Sequence, residues 1–213
     1  NRVLTDFINT GTYDISDRPF VLTPSPSMDI LVSSNLERQL FELTGRNPEA
    51  IAQWMRALNE NRCFRIDRAT FGKLREGFAA ESVSNQDCLN TIKEVFARYG
   101  YLMDPHTAVA FAATERLRGE NPVLVASTAH WAKFGDNVYR ALFDVPAGQP
   151  LPADKAALTG CQLNAFIADE TGCFYVPENL AMLDEMEARF SEVIDGTTEA
   201  IEQATAAFLD SQA

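Results

Sequence analysis

The chain has 213 residues, 46% of them hydrophobic, enough to bury a sizeable core in one compact unit or in one large piece of a larger domain. A formal net charge of −12, with only Lys73, Lys93, Lys133 and Lys155 as lysines and the arginines scattered, excludes a nucleic-acid binder, which needs clustered basic side chains. No apolar run approaches the roughly 18 residues of a membrane span and no charged-then-apolar leader precedes the first helix, so no membrane partner and a cytoplasmic location are expected.

The opening Asn1-Arg2-Val3-Leu4 reads as a chain joined in the middle of something longer. A short apolar stretch, Val3 to Ile8, precedes the turn-rich Thr10-Gly11-Thr12-Tyr13-Asp14, which reads as a loop. Phe20-Val21-Leu22 reads as a short strand stopped by Pro24 and Pro26. Asn35 is placed to cap a helix that ends before Gly45. Asn47 and Pro48 open a second helix that puts Ile51, Trp54, Met55 and Leu58 on one face. Cys63-Phe64-Arg65-Ile66 is a candidate strand. Ser84 with Asp87 resembles a capping box for a helix that buries Leu89, Ile92, Val95 and Phe96 and stops at Gly100.

Asp104-Pro105 starts another helix, whose alanines predict close packing against a sheet. Val123-Leu124-Val125-Ala126, apolar without alternation, reads as a buried parallel strand that feeds Ser127-Thr128-Ala129-His130 and a helix from about Lys133 to Phe143. Strands alternating with helices point to an α/β layered fold. From Pro146 the character changes, and the remainder reads as mainly helical, with helices over Asn179 to Val193 and Thr197 to Leu209.

The four cysteines, Cys63, Cys88, Cys161 and Cys173, have no metal-like spacing among themselves or with His106 and His130. Reduced, mostly buried thiols and no metal are expected. In an open α/β sheet, ligands bind beyond the carboxyl ends of strands, which singles out Ser127, Thr128 and His130. The same residues equally suit the cap of the next helix. Asp104 and Pro105 are explained by capping, leaving His106 as a surface or a site residue. The hydroxyl-rich Ser25 to Ile30, followed by Ser33-Ser34-Asn35, suits an anion at a helix N-terminus, and also suits an ordinary loop. Neither a Gly-rich phosphate loop nor a Ser-His-Asp pattern is recoverable.

Three of these stretches, in order, resemble the C-terminal half of threonine synthases of the long bacterial and fungal type. They are Ser25-Pro26-Ser27-Met28-Asp29-Ile30 with Ser33-Ser34-Asn35-Leu36-Glu37-Arg38, then Gly100-Tyr101-Leu102-Met103-Asp104-Pro105-His106-Thr107-Ala108-Val109, then Ser127-Thr128-Ala129-His130 through Ala132-Lys133-Phe134. Thr5-Asp6-Phe7 to Gly11-Thr12-Tyr13 is similar to the stretch after the family's phosphate-gripping loop. The resemblance spans roughly residues 1 to 143, with Trp131 where the family usually has Pro, and matches poorly beyond Pro146.

The resemblance implies part of a three-layer αβα fold-type II pyridoxal-phosphate enzyme: residues 1–145 as the C-terminal portion of the cofactor-binding large domain, and 146–213 as a C-terminal, mainly helical region. The implied reaction converts O-phosphohomoserine and water to threonine and phosphate. A threonine-synthase-like phospho-lyase and a non-enzymatic binding remnant are the alternatives. The Schiff-base lysine is expected upstream, so no catalytic residue is expected in this chain, which alone is expected to be inactive and to bind no pyridoxal phosphate. Lys133 lies in a different motif from the Schiff-base one. The missing N-terminal half is the expected packing partner. Carried over residue by residue, Thr128 approaches the cofactor's pyridine nitrogen, Ser127 and His130 neighbour the ring, Asp104 and His106 line the cleft floor, and Ser34 and Asn35 face the substrate phosphate.

Overall fold

The structure is a computed structural model that describes residues 1–172, 175–188 and 191–211. The chain builds two lobes, each around its own apolar cluster. The first contains α1 (Val3–Thr10), β1 (Thr12–Asp14), α2 (Ser34–Leu43), α3 (Pro48–Asn61), β2 (Cys63–Arg65) and α4 (Arg68–Gly77). β1 and β2 pair antiparallel with Tyr13 opposite Phe64. Cross-strand neighbours on one face touch, and these two rings stack at 5.3 Å between centroids, with Phe7 edge-on to Tyr13 at 5.7 Å. Leu40, Ile51, Trp54, Leu58 and Leu74 close this core from α2, α3 and α4. Gly11 ends α1 at φ 74°, a left-handed conformation that costs glycine nothing and turns the chain directly into β1.

The second lobe is helical: α5 (Asn85–Tyr99), α6 (Pro105–Leu117), a 3₁₀ turn (Trp131–Phe134), α7 (Gly135–Leu142), α8 (Ala153–Ala156), α9 (Gly160–Thr171) and α10 (Glu178–Ala181). Leu89, Ile92, Trp131, Val138, Tyr139, Leu163 and Ile167 form its core, so α9 shares one interior with α5 and α7. The expected caps are in place. Asn47 accepts from Ala50 N at 3.1 Å, Ser84 from Asp87 N at 3.1 Å, and Asp104 from His106 N at 2.9 Å. Finally α11 (Thr198–Ser211) buries none of its residues.

Several expected elements differ. Thr12–Asp14 is a strand rather than loop, because its partner Cys63–Arg65 arrives about fifty residues later and no local signal reports it. Phe20-Val21-Leu22 forms no strand and is largely exposed. Neither does Val123-Leu124-Val125-Ala126, where Leu124 is 97% exposed. A strand exists only where a neighbour offers a free ladder, and among the described residues the one sheet is β1–β2 in the other lobe. The alanine-rich α6 therefore packs against helix α5 instead of a sheet.

The helix expected over Asn179 to Val193 is cut to Glu178–Ala181, with Arg189 and Phe190 outside the described residues. Met182, Leu183 and Met186 are exposed there, and a short helix without a buried face is marginal in water. Cys88 is buried, Cys63 and Cys161 are half-buried, all three are free thiols, and Cys173 lies outside the described residues. No group of His, Cys, Asp and Glu among the described residues is arranged to hold a metal.

Candidate functional site

A cleft of about 460 Å³ opens between the lobes. One wall is the segment from Thr23 to Asn35; the other is made by α5, α6 and the turn carrying Thr128. The first wall is built from small polar groups. Asp29, buried, accepts from Thr23 N at 3.0 Å and from Thr23 Oγ1 at 2.5 Å, closing the loop around the Pro26–Met28 3₁₀ turn. Asn137 of α7 donates to Pro24 O at 3.4 Å and ties this loop to the second lobe.

Tyr13 then presents the start of α2. Its hydroxyl donates to Leu31 O at 2.7 Å and accepts from Ser33 N at 2.9 Å. Burial raises the Tyr13 phenol, with the Ser33 amide and Arg18 opposing, so it stays a neutral donor and acceptor. Ser33, at the N-cap of α2, makes no side-chain cap bond, and Ser33, Ser34 and Asn35 line the cleft. The opening of a helix with spare amide donors attracts anions. Asn35 Oδ1 accepts from Arg38 at 2.7 Å.

The opposite wall is organised by Asp104, whose side chain is completely buried. It accepts from His106 N at 2.9 Å, Thr107 N at 3.4 Å and Ala129 N at 3.2 Å, and from the Thr107 hydroxyl. His106 Nδ1 lies 3.1 Å from the same carboxylate. Burial by itself pushes the Asp104 carboxyl up, but the bonds from Thr107, Ala129 and His106 outweigh it and hold it below the usual carboxylate range. Thr107 Oγ1 accepts in turn from Thr128 N at 3.0 Å. Thr128 is exposed on the cleft, and its hydroxyl has no hydrogen-bond partner among the described residues.

Across the cleft, Ser27 N donates to His106 Nε2 at 3.2 Å. That bond requires a bare Nε2, so the ring is neutral with its proton on Nδ1, facing Asp104. Cys88 also reaches the cleft, donating to Pro105 O at 3.4 Å. Burial, reinforced by Asp104, pushes its thiol up to about 12, which removes it as a nucleophile.

The structure thus brings Thr128, His106, Ser34 and Asn35 to one cleft and sets Asp104 behind its wall. Ser127 and His130 are not on it. Ser127 is exposed beside Thr128, and His130 Nδ1 accepts from Ala132 N at 3.2 Å, capping the 3₁₀ turn. Burial lowers the His130 imidazole, keeping it neutral for that role. Sequence reasoning singled out neither Tyr13 nor Thr107. For Thr107 a signal existed, since a hydroxyl three residues after an Asp N-cap is placed to reach back to it.

The family model described as "Threonine synthase, C-terminal" matches residues 107–205. Threonine synthase-like 1 of Macaca fascicularis is 41% identical over 143 residues, covering 67% of this chain and 19% of that protein. Among solved structures, threonine synthase from yeast matches with a TM-score of 0.70 at 29% identity, covering 98% of this chain and 40% of that one. PLP-bound threonine synthase from Brucella melitensis matches with a TM-score of 0.63 at 35% identity, over 72% of this chain and 32% of that one. The chain therefore spans only 19% to 40% of the length of these relatives. The family match also runs past Pro146 to residue 205, further than the expected end near residue 143, and takes in α9, which packs into the shared core. With three ordered motifs, the α/β fold class of these enzymes and a cleft joining the motifs, the chain is similar to the C-terminal part of threonine synthases, which are fold-type II pyridoxal-phosphate enzymes.

Proposed function

We propose that this chain supplies the C-terminal part of a cytoplasmic threonine synthase, which converts O-phosphohomoserine and water to threonine and phosphate with pyridoxal phosphate. The observation that carries the reading is that Thr128 and the uncapped start of α2 face each other across one cleft. The donor set fits the cofactor and substrate. The free Thr128 hydroxyl suits an unprotonated pyridine nitrogen, where a carboxylate would demand a pyridinium. The α2 amides with Ser34 and Asn35 suit a phosphate ester.

When bound, pyridoxal phosphate supplies the electron sink for the reaction. The chain's own groups bind and orient. Thr128 would hold the cofactor by donating to its ring nitrogen, the start of α2 would hold the substrate's phosphate, and neutral His106 would add no competing charge. Among the described residues, neither Lys nor Arg lines this cleft, so the lysine that bonds the cofactor comes from the upstream part of the enzyme. That part is the packing partner, and exposed Phe20, Leu22, Ile30 and Leu124 offer it an apolar seat. Residues 1–145 then form the large-domain portion and 146–213 the helical C-terminal region.

The test is product analysis on the native gene product supplied with O-phosphohomoserine and pyridoxal phosphate. Threonine and phosphate in equal amounts are expected, with Thr128→Val lowering kcat/KM about tenfold, the loss of one hydrogen bond. The 213-residue chain alone is expected to develop no absorbance band beyond free cofactor and no turnover. The same assay tests a second reading, a phospho-lyase on the same substrate. Formation of 2-oxobutyrate in place of threonine establishes it. Neither product overturns both and leaves a binding role.

A further inference from the structure

Capping α6 requires only the bonds from the His106 and Thr107 amides to Asp104. The carboxylate takes three more. The Thr107 hydroxyl and Ala129 N, at 3.2 Å, reach Oδ2, and His106 Nδ1 reaches Oδ1 at 3.1 Å. Each extra bond leads onward to a wall of the cleft. Thr107 Oγ1, its proton committed to Asp104, accepts from Thr128 N at 3.0 Å. His106, its Nδ1 proton committed likewise, has Nε2 left to accept from Ser27 N at 3.2 Å. Asp104 itself is fully buried and is not among the residues lining the cleft.

We infer that Asp104 is a positioning residue that sets the spacing between the two walls of the cleft, holding Thr128 through Thr107 and Ala129, and the Ser27 turn through His106. This deepens the reading of that cleft as the cofactor and substrate site and rests on it for its functional meaning. An ordinary cap would fix α6 alone. Here the carboxylate also chooses the tautomer of His106 and the rotor of Thr107, so one side chain decides whether two distant backbone amides find acceptors.

The wiring is read by amide hydrogen exchange in the ¹⁵N-labelled chain, with no ligand present. His106→Leu is expected to speed exchange at Ser27 about tenfold and leave Thr128 and Ala129 unchanged; Thr107→Val speeds Thr128 and leaves Ser27, and Ala129 with its own bond to Asp104, unchanged. His106→Gln, which keeps an acceptor and a donor, restores protection at Ser27. Asp104→Ala, which leaves no acceptor, releases both arms, and the two single-arm variants decide the matter if it fails to fold. Ile92, in the core of the second lobe, reports global stability. A uniform rise that includes Ile92, or no change at Ser27 and Thr128, overturns the inference.

In the native gene product, His106→Leu is expected to raise KM for O-phosphohomoserine about tenfold with kcat little changed, and His106→Gln to restore KM. A fall in kcat alone counts against the positioning role. Because the exchange pattern needs no substrate, it survives or fails independently of the product assay. A correct pattern in an inactive protein sinks the functional reading and keeps the wiring, and threonine formation without the pattern does the opposite.

Discussion

Replacing Gly135 with alanine puts two ordinary rules in opposition. Gly135 begins α7 with helical φ −53° and ψ −37°, so its backbone has no need of glycine, and helix propensity favours alanine by up to about 1 kcal/mol. A Cβ there, however, would overlap Asn164 Oδ1. Asn164 is only 5% exposed, and its Nδ2 donates to Ala132 O at 2.7 Å, bracing α9 against the turn before α7. Its Oδ1 has no partner and is packed directly on the glycine. Moving the amide forfeits that bond and strands a carbonyl, about 1–3 kcal/mol, and crowding a packed interior adds about 1–3 kcal/mol. The net expectation is a loss of about 3 kcal/mol, or about 9 °C in Tm for a chain of this size, read by thermal unfolding in circular dichroism. The reasoning also predicts coupling: in an Asn164→Ala background the Gly135→Ala penalty disappears. A Gly135→Ala protein as stable as its parent, or a penalty undiminished without Asn164, would refute it.

Two further outcomes follow from buried ionisable groups. Asp104 sits below the usual carboxylate range when folded, so its contribution is fully present above the unfolded value, near pH 4, and is lost as pH falls through the folded value. Acid titrations of stability are expected to fall less steeply below about pH 4 in Asp104→Asn than in the parent, and parallel curves would contradict this assignment. Cys88, pushed up to about 12, is expected to resist iodoacetamide at pH 8 in the folded chain while half-buried Cys161 reacts, as peptide mass mapping will show. Early labelling of Cys88 would mean that the cleft floor opens.

What could be read from sequence divides by range. The helix starts at Pro48, Asn85 and Pro105 were legible because a cap and its amides sit within three residues of each other. The same logic was available and passed over for α9, where Thr159 and Gln162 form a full capping box, and for α4, where Asp67 caps Ala69 and Thr70. The β1–β2 ladder and the Ser27–His106 contact join residues far apart, and no window of sequence contains both partners. Val123 to Ala126 misled because an apolar run states only that burial would be favourable, not that a sheet is at hand. Thr128, Ser34, Asn35 and His106 were candidates from pattern alone, and the family motifs gave them roles, since their residue types also fitted caps, a loop or the surface. Asp104 was assigned to the cleft floor, and only the coordinates reveal how many donors converge on it.

The bonds that tie the Thr23–Asp29 loop to the second lobe span 79 residues from Ser27 to His106 and 113 from Pro24 to Asn137. Each lobe, by contrast, has a complete apolar cluster of its own. Folding therefore has a natural order: the lobes condense from nearby contacts, and the seam between them closes last, because the entropy of closing long loops must be met before those contacts reward it. On the reverse path the seam is the first part to part, at a cost well below global unfolding. A protease or a labelling reagent that samples such openings will mark the residues around the cleft while both lobes are still intact.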